Sequence, residues 1–197
     1  MVKVCSGFSP AGRIQYGDRF MQSFHSHWPM NVELEVYVEE PIDMPRFGAR
    51  SLWDIPGARD FHDRHRDNLA AHGRVPQPCW KAKERLLGYS FRTDAYKFWK
   101  QILIPGAAAA TMEDGEILVW MDGDVVTTNP VPAQWVEDLL GQAEIAFLNR
   151  EPKHSEIGFW AVRLNGRTRL FLQAIADVYR TDQVFGLPQW HSAASVR

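Results

Sequence analysis

A chain of 197 residues with 45% apolar composition is long enough to bury a substantial core, and one folded domain over 1–197 is the expectation. A net charge of −2 argues against a broad polyanion binder, since no global basic field points to nucleic acid or an anionic membrane as partner. The apolar runs fall short of the roughly 18 residues of a membrane span, and the start lacks a basic segment before an apolar signal core, which reads as a soluble, cytoplasmic protein. Cys5 and Cys79 are too few for a disulfide framework and form no Cys-x-x-Cys pair, so reduced thiols are expected. Eight tryptophans suit a core and a ring-lined cleft alike.

Val2 to Phe8 is apolar and β-branched and runs into Ser-Pro-Ala-Gly, a strand ending in a turn. Ile14, Phe20, Met21, Phe24 and Trp28 recur at helical spacing until Pro29. Val32, Leu34, Val36 and Val38 alternate with Glu33, Glu35, Tyr37 and Glu39, a strand with one polar face. From Pro41 to Trp80 the chain is polar, an excursion with a short helix around Ala58 to Ala71. Thr93 or Asp94 caps a helix carrying Ala95, Phe98, Trp99, Ile102 and Leu103. Ile117 to Met121 is continuously apolar, as a parallel strand covered on both faces is. Pro132 opens a helix with Trp135, Leu139 and Leu140 that Gly141 stops; Ile145 to Leu148 and Ile157 to Leu164 are strands; Leu170 to Tyr179 is a last amphipathic helix. The alternation predicts an α/β protein: a central, mostly parallel sheet flanked by helices in three layers.

Asp122-Gly123-Asp124 follows the apolar run 117–121. If that run is a central parallel strand, both aspartates leave its carboxyl end, where open α/β sheets place ligands. Residues i and i+2 of an extended segment share a side, and Gly123 leaves room for a ligand to come close. Two carboxylates that close repel unless a cation lies between them, and Mg²⁺ or Mn²⁺ meets that need. The bland alternative is a loop turn, as at Asp114-Gly115. Another is a haloacid-dehalogenase type of phosphatase with Asp122 as nucleophile, although that motif continues Gly-Thr or Gly-Val and here Val125 and Val126 follow.

With the stretches "FSPAGRIQYGDRFMQSFHSHWPMNVELEVYVEE", "YSFRTDAYKFWKQILI", "KHSEIGFWAVRLN" and "FGLPQWHS" in order around Asp-Gly-Asp, the chain resembles bacterial glycosyltransferase-like proteins of the GT-A fold over essentially its whole length. The resemblance implies a Rossmann-like sheet that binds a nucleotide-diphosphate sugar donor and a divalent metal, and transfers the sugar to a glycan, lipid or protein acceptor. A relative that binds the donor without turnover is the other implication. It also implies a histidine near the end of the domain as a further metal ligand, a place that His191 takes. An imidazole among the ligands favours Mn²⁺ over Mg²⁺. Ser192 stands where the resembling proteins carry an Asp, and their C-terminal segment is longer.

Asp122 and Asp124 are thus the expected metal ligands, with Asp124 also catalytic through the charge on the leaving diphosphate. Arg92 or Lys97 is expected to contact that diphosphate, with Asp94 near the nucleoside or bracing those cations. Phe8 and Ser9, ending the first strand, and Glu39, ending the second, would cradle base and ribose. Lys153, His154 and Glu156 would lie on the sugar and acceptor side, with Glu156 as base toward an acceptor hydroxyl or as a positioning group. The bland alternatives are a surface pair of Asp94 with Lys97, a solvated charged loop at 153–156, and turn chemistry at Ser9. His62 and His65 read as a solvated helical face.

Overall fold

The computed structural model describes residues 1–41, 48–148, 150 and 156–190. Six strands form one mixed sheet: β1 (Val2–Phe8), β2 (Val32–Val38), β3 (Gly48–Ser51), β4 (Ile117–Met121), β5 (Ile145–Leu148) and β6 (Glu156–Arg163). Their order is β3-β2-β1-β4-β6-β5, with β3, β2, β1 and β4 parallel and β6 antiparallel to both β4 and β5. The helices are α1 (Pro10–Gly12), α2 (Asp18–His27), α3 (Ala58–His65), α4 (Ala82–Leu87), α5 (Ala95–Ala109), α6 (Trp135–Leu140) and α7 (Gly166–Arg180), with a π-helical stretch, Arg13–Gly17, joining α1 to α2. No helix among the described residues is long and apolar enough to cross a membrane.

The period-2 alternation of the strands sorts the core into two layers. Val4, Phe8, Leu34, Val36, Val119 and Met121 pack against Phe20, Met21 and Phe24 of α2 and Val136 and Leu140 of α6. On the opposite face Cys5, Tyr37, Leu118 and Trp120 meet Trp99, Ile102 and Leu103 of α5 and Leu172, Ile175 and Tyr179 of α7. Helices therefore cover both faces of an α/β sheet, as the continuous apolar run of β4 requires. The described part of the polar excursion holds more than one short helix, since it adds β3 and a 3₁₀ turn at Leu52–Asp54.

The polar face expected of β2 is solvated at Glu33 but covered at Glu35 and Tyr37. Glu35 is buried, its carboxylate accepting from Tyr37 Oη at 2.6 Å and from Arg50 Nε at 3.3 Å, with Lys3 Nζ at 3.6 Å. Alternation alone could not reveal this, because a charge survives burial only with partners and two of these come from other strands.

The crossing of α5 over β1 is close at Gly7, where an added Cβ would lie 2.4 Å from Ile104 Cδ1 and 3.1 Å from the Tyr37 carbonyl. Ile104 is fully buried, so it has nowhere to retreat. Gly7→Ala is expected to lower unfolding stability by about 1–3 kcal/mol through overpacking, read as a lower midpoint in urea with an unchanged slope.

Candidate functional site

Two features of the topology bring polar groups to one edge. Parallel β1 and β4 end there, at Phe8 and Met121, and antiparallel β6 begins there, with Phe159 opposite Met121. The start of β6 therefore delivers Glu156 to the place where β4 releases Asp122. Had β6 run parallel to β4, Glu156 would lie at the opposite edge.

Asp122 is held on all sides. Its backbone N–H donates to the Gly158 carbonyl at 2.8 Å, and its carbonyl accepts from Val125 N at 3.0 Å, which closes a tight turn. Carboxylate Oδ1 accepts from Trp120 Nε1 at 2.7 Å and from Gln101 Nε2 at 3.0 Å, and Gln101 Nε2 also donates to the Ile157 carbonyl at 2.8 Å. Oδ2 faces Gly158: an added Cβ there would lie 3.0 Å from Asp122 Oδ2 and 3.3 Å from Glu156 Oε1. Two carboxylates thus approach Gly158 closely, where a larger side chain would crowd them. Glu156 Oε1 in turn accepts from Gly158 N at 3.2 Å, and Oε2 is ion-paired with Arg150.

Burial pushes the Asp122 carboxyl up to about 6. The Trp120 hydrogen bond and Lys97 pull it down, while the charges of Asp124 and Glu156 add to the upward push. Tyr16 is raised as well, first by burial and then by Asp124, Asp122 and Glu39. The edge is electronegative and partly desolvated.

A cavity of about 290 Å³ opens here, floored by Asp122, Gly123 and Asp124 and walled by Phe8, Ser9, Tyr16, Lys97, Lys100 and Trp120. A recess of about 300 Å³ adjoins it across Phe8 and Ser9 and reaches Glu39. Lys100 on the first side is ion-paired with Glu39 on the second. A larger cavity, about 790 Å³, lies at the other edge by Lys3, Val32, Glu33 and Arg50. The smaller one is the better candidate, because it alone contains a carboxyl group displaced from its ordinary range among convergent donors.

Of the residues singled out in the sequence, Phe8, Ser9, Lys97, Asp122 and Asp124 line this cavity, Glu39 lines its neighbour, and Glu156 reaches Asp122 across Gly158. The two aspartates are not the symmetric pair expected of an extended segment: the chain turns at 122–125, leaving Asp122 part-buried and Asp124 exposed. Gly123 lines the cavity and is also demanded by packing, since an added Cβ would meet Phe8 Cδ1 at 2.9 Å and Tyr16 Cε2 at 3.3 Å. Ser9 has turn chemistry as its visible role, its Oγ accepting from Gly12 N at 3.1 Å.

Arg92 and Asp94 stand away from the cavity. Arg92 Nε pairs with Glu84 at 3.2 Å, and its carbonyl accepts from Trp190 N at 2.6 Å. Asp94 is buried as the N-cap of α5, accepting from Lys97 N at 2.9 Å and Tyr89 Oη at 3.0 Å, so the Asp94 to Lys97 link is a backbone cap and not a surface ion pair. His65 is likewise no solvated residue: it is buried, with Nε2 2.8 Å from Asp182, while His62 Nδ1 lies 2.6 Å from Tyr96 Oη. Lys153, His154 and His191 lie outside the described residues. Among the described residues no group of three or more His, Cys, Asp or Glu is gathered as a metal site.

Gln101, Trp120, Lys100, Tyr16 and Gly158 shape the site and escaped the sequence reading. Signals for some were present. Lys97, Lys100 and Gln101 make a polar stripe at helical spacing on an otherwise apolar helix, and Trp120 sits two residues before Asp122 on the same side of the strand. Compared with protein-family models and with curated proteins, the chain matches none of them significantly.

Proposed function

We propose that the protein is a metal-dependent glycosyltransferase that takes a nucleotide-diphosphate sugar donor with Mn²⁺ or Mg²⁺ in the cavity at the carboxyl edge of β1 and β4. The observation that carries the reading is the Asp122 carboxylate, fixed by Trp120 and Gln101, raised by burial, and set beside Asp124 and Glu156. A partly buried concentration of negative charge is costly unless a cation completes it, and all-oxygen donors suit a hard divalent ion. Asp122 and Asp124 both line the cavity of about 290 Å³, so donor atoms and room for an ion coincide there.

Asp122 and Asp124 would hold the ion, which supplies Lewis-acid neutralisation of the charge that grows on the leaving diphosphate. Lys97, on the exposed first turn of α5, makes no ion pair among the described residues and lines the cavity, so its ammonium is available to a phosphate oxygen. Tyr16 offers a ring to the nucleoside over the buried Phe8, and Glu39, tied to Lys100, borders the neighbouring recess. Glu156, which accepts from the Gly158 amide and pairs with Arg150, would receive the proton of an acceptor hydroxyl.

The test is release of nucleoside diphosphate from a panel of nucleotide sugars in Mn²⁺. At least one donor is expected to be consumed, with Asp124→Ala and Lys97→Ala each reducing turnover at least about tenfold, since each removes a charge-assisted contact. Binding of every donor without release would identify a non-turnover relative, and indifference to all donors would overturn the proposal. Gly158→Ala gives a sharper check on the cradle. It places a methyl 3.0 Å from Asp122 Oδ2 and 3.3 Å from Glu156 Oε1, so a carboxylate must shift and Mn²⁺ affinity should fall at least about tenfold.

A further inference from the structure

The net charge of −2 conceals a segregated surface. Between Asp67 and Asp94 the chain carries Arg74, Lys81, Lys83, Arg85 and Arg92 against the single acid Glu84, which is engaged by Arg92. Lys81, Lys83 and Arg85 are exposed and make no ion pair among the described residues.

At the centre of this basic segment sits α4, a helix with no buried residue. It holds its shape through local bonds: Glu84 Oε2 accepts from Lys81 N at 2.8 Å, and Gly88 ends the helix in the left-handed region at φ 62°. It does so while presenting Leu86 at 88% and Leu87 at 66% exposure, with Phe91 at 43% three residues beyond Gly88. A soluble surface tolerates single exposed apolar side chains. Two adjacent leucines on an unburied helical turn that also carries the exposed cations Lys83 and Arg85 are a different arrangement.

We propose that α4 and the turn to Phe91 are a docking surface for an anionic lipid bilayer, the leucines entering the acyl boundary while Lys81, Lys83 and Arg85 reach the headgroups. The charge selects the occupant. A second copy of this chain would set the same basic patch against itself in a two-fold dimer and be repelled. A bilayer with anionic lipids complements the charge, accepts flat apolar side chains without a shaped pocket, and lets lysine and arginine stems extend to the surface. The inference is independent of sugar transfer, because no residue of the cavity takes part in it.

The test is co-sedimentation of the full chain with vesicles of phosphatidylcholine alone and of phosphatidylcholine mixed with phosphatidylglycerol. Binding is expected only to the mixed vesicles, and is expected to weaken as salt is raised. The triple variant Lys81→Gln, Lys83→Gln, Arg85→Gln should bind on the order of 100-fold more weakly, from about 1 kcal/mol per basic residue near the surface. The double variant Leu86→Ser, Leu87→Ser should lose at least about tenfold through the apolar contribution. Melting midpoints of both variants should match the parent, since α4 contributes no buried side chain. No binding to the mixed vesicles at low salt overturns the proposal. So does undiminished binding of the leucine variant, which would leave only adsorption of charge and point instead to an acidic protein surface as the partner.

Discussion

Asp122→Asn should make the protein more stable at neutral and alkaline pH and inactive in the same stroke. The sign follows from the direction of the shift. The folded carboxyl is raised to about 6 from an ordinary 3.8, so the folded state binds the proton more tightly than the unfolded chain does. Below about pH 4 both states are protonated, and the raised group contributes its full stability. As pH rises through about 6 that contribution is lost, at roughly 2–3 kcal/mol for a shift of this size. Asparagine is neutral throughout and keeps an oxygen to accept from Trp120 and Gln101, so the variant retains the low-pH stability at every pH. Urea titrations should give a gain of about 2–3 kcal/mol at pH 8 and close to none at pH 4. An equal gain at both values would detach the effect from ionisation. A carboxylate that costs its own fold stability at working pH is the pattern expected of a functional group rather than a structural one.

Asp94→Ala should do the reverse, damaging the fold and sparing ligand affinity. The side chain caps α5 through Lys97 N and accepts from Tyr89 Oη while buried. Loss of a cap costs about 1 kcal/mol, and leaving the Tyr89 hydroxyl without its acceptor adds about 1–2 kcal/mol. The expected loss is therefore about 2–3 kcal/mol in urea, with nucleotide affinity of the folded variant close to that of the parent. Lys97→Ala, three residues on, should show the opposite pair of effects: little change in stability, because its side chain is exposed, and at least about tenfold weaker nucleotide binding. A strong loss of affinity in folded Asp94→Ala would return that residue to the binding site.

Much of the scaffold was legible because its causes are local. The apolar run at 117–121, the β-branched run at 2–8 and the alternation at 32–38 coincide with β4, β1 and β2, and Asp94 and Gly141 end their helices as capping chemistry predicts. What escaped depends on contacts between distant segments. The direction of β6 is not encoded in its own pattern, yet it decides that Glu156 meets Asp122. The burial of Glu35 depends on Lys3 and Arg50, one on each neighbouring strand. Arg92 and Asp94 have the residue types of a phosphate site, but the segment from 72 to 94 folds back on itself, with Ser90 N bonded to the Gly73 carbonyl and Asp94 bridged to His72, and consumes them internally. Asp122 and Asp124, at the end of β4, do line the cavity.

The central claim is that Asp122 and Asp124 hold a divalent cation against a diphosphate. Thermal unfolding with a panel of nucleoside diphosphates, each with and without Mn²⁺, tests it most directly, because a ligand at 100 times its dissociation constant adds about 2.7 kcal/mol to the folded state. The account predicts a raised midpoint for at least one nucleotide only when Mn²⁺ is present, and its disappearance in Asp124→Ala. No shift with any nucleotide, or a shift of the same size in Asp124→Ala, would contradict it.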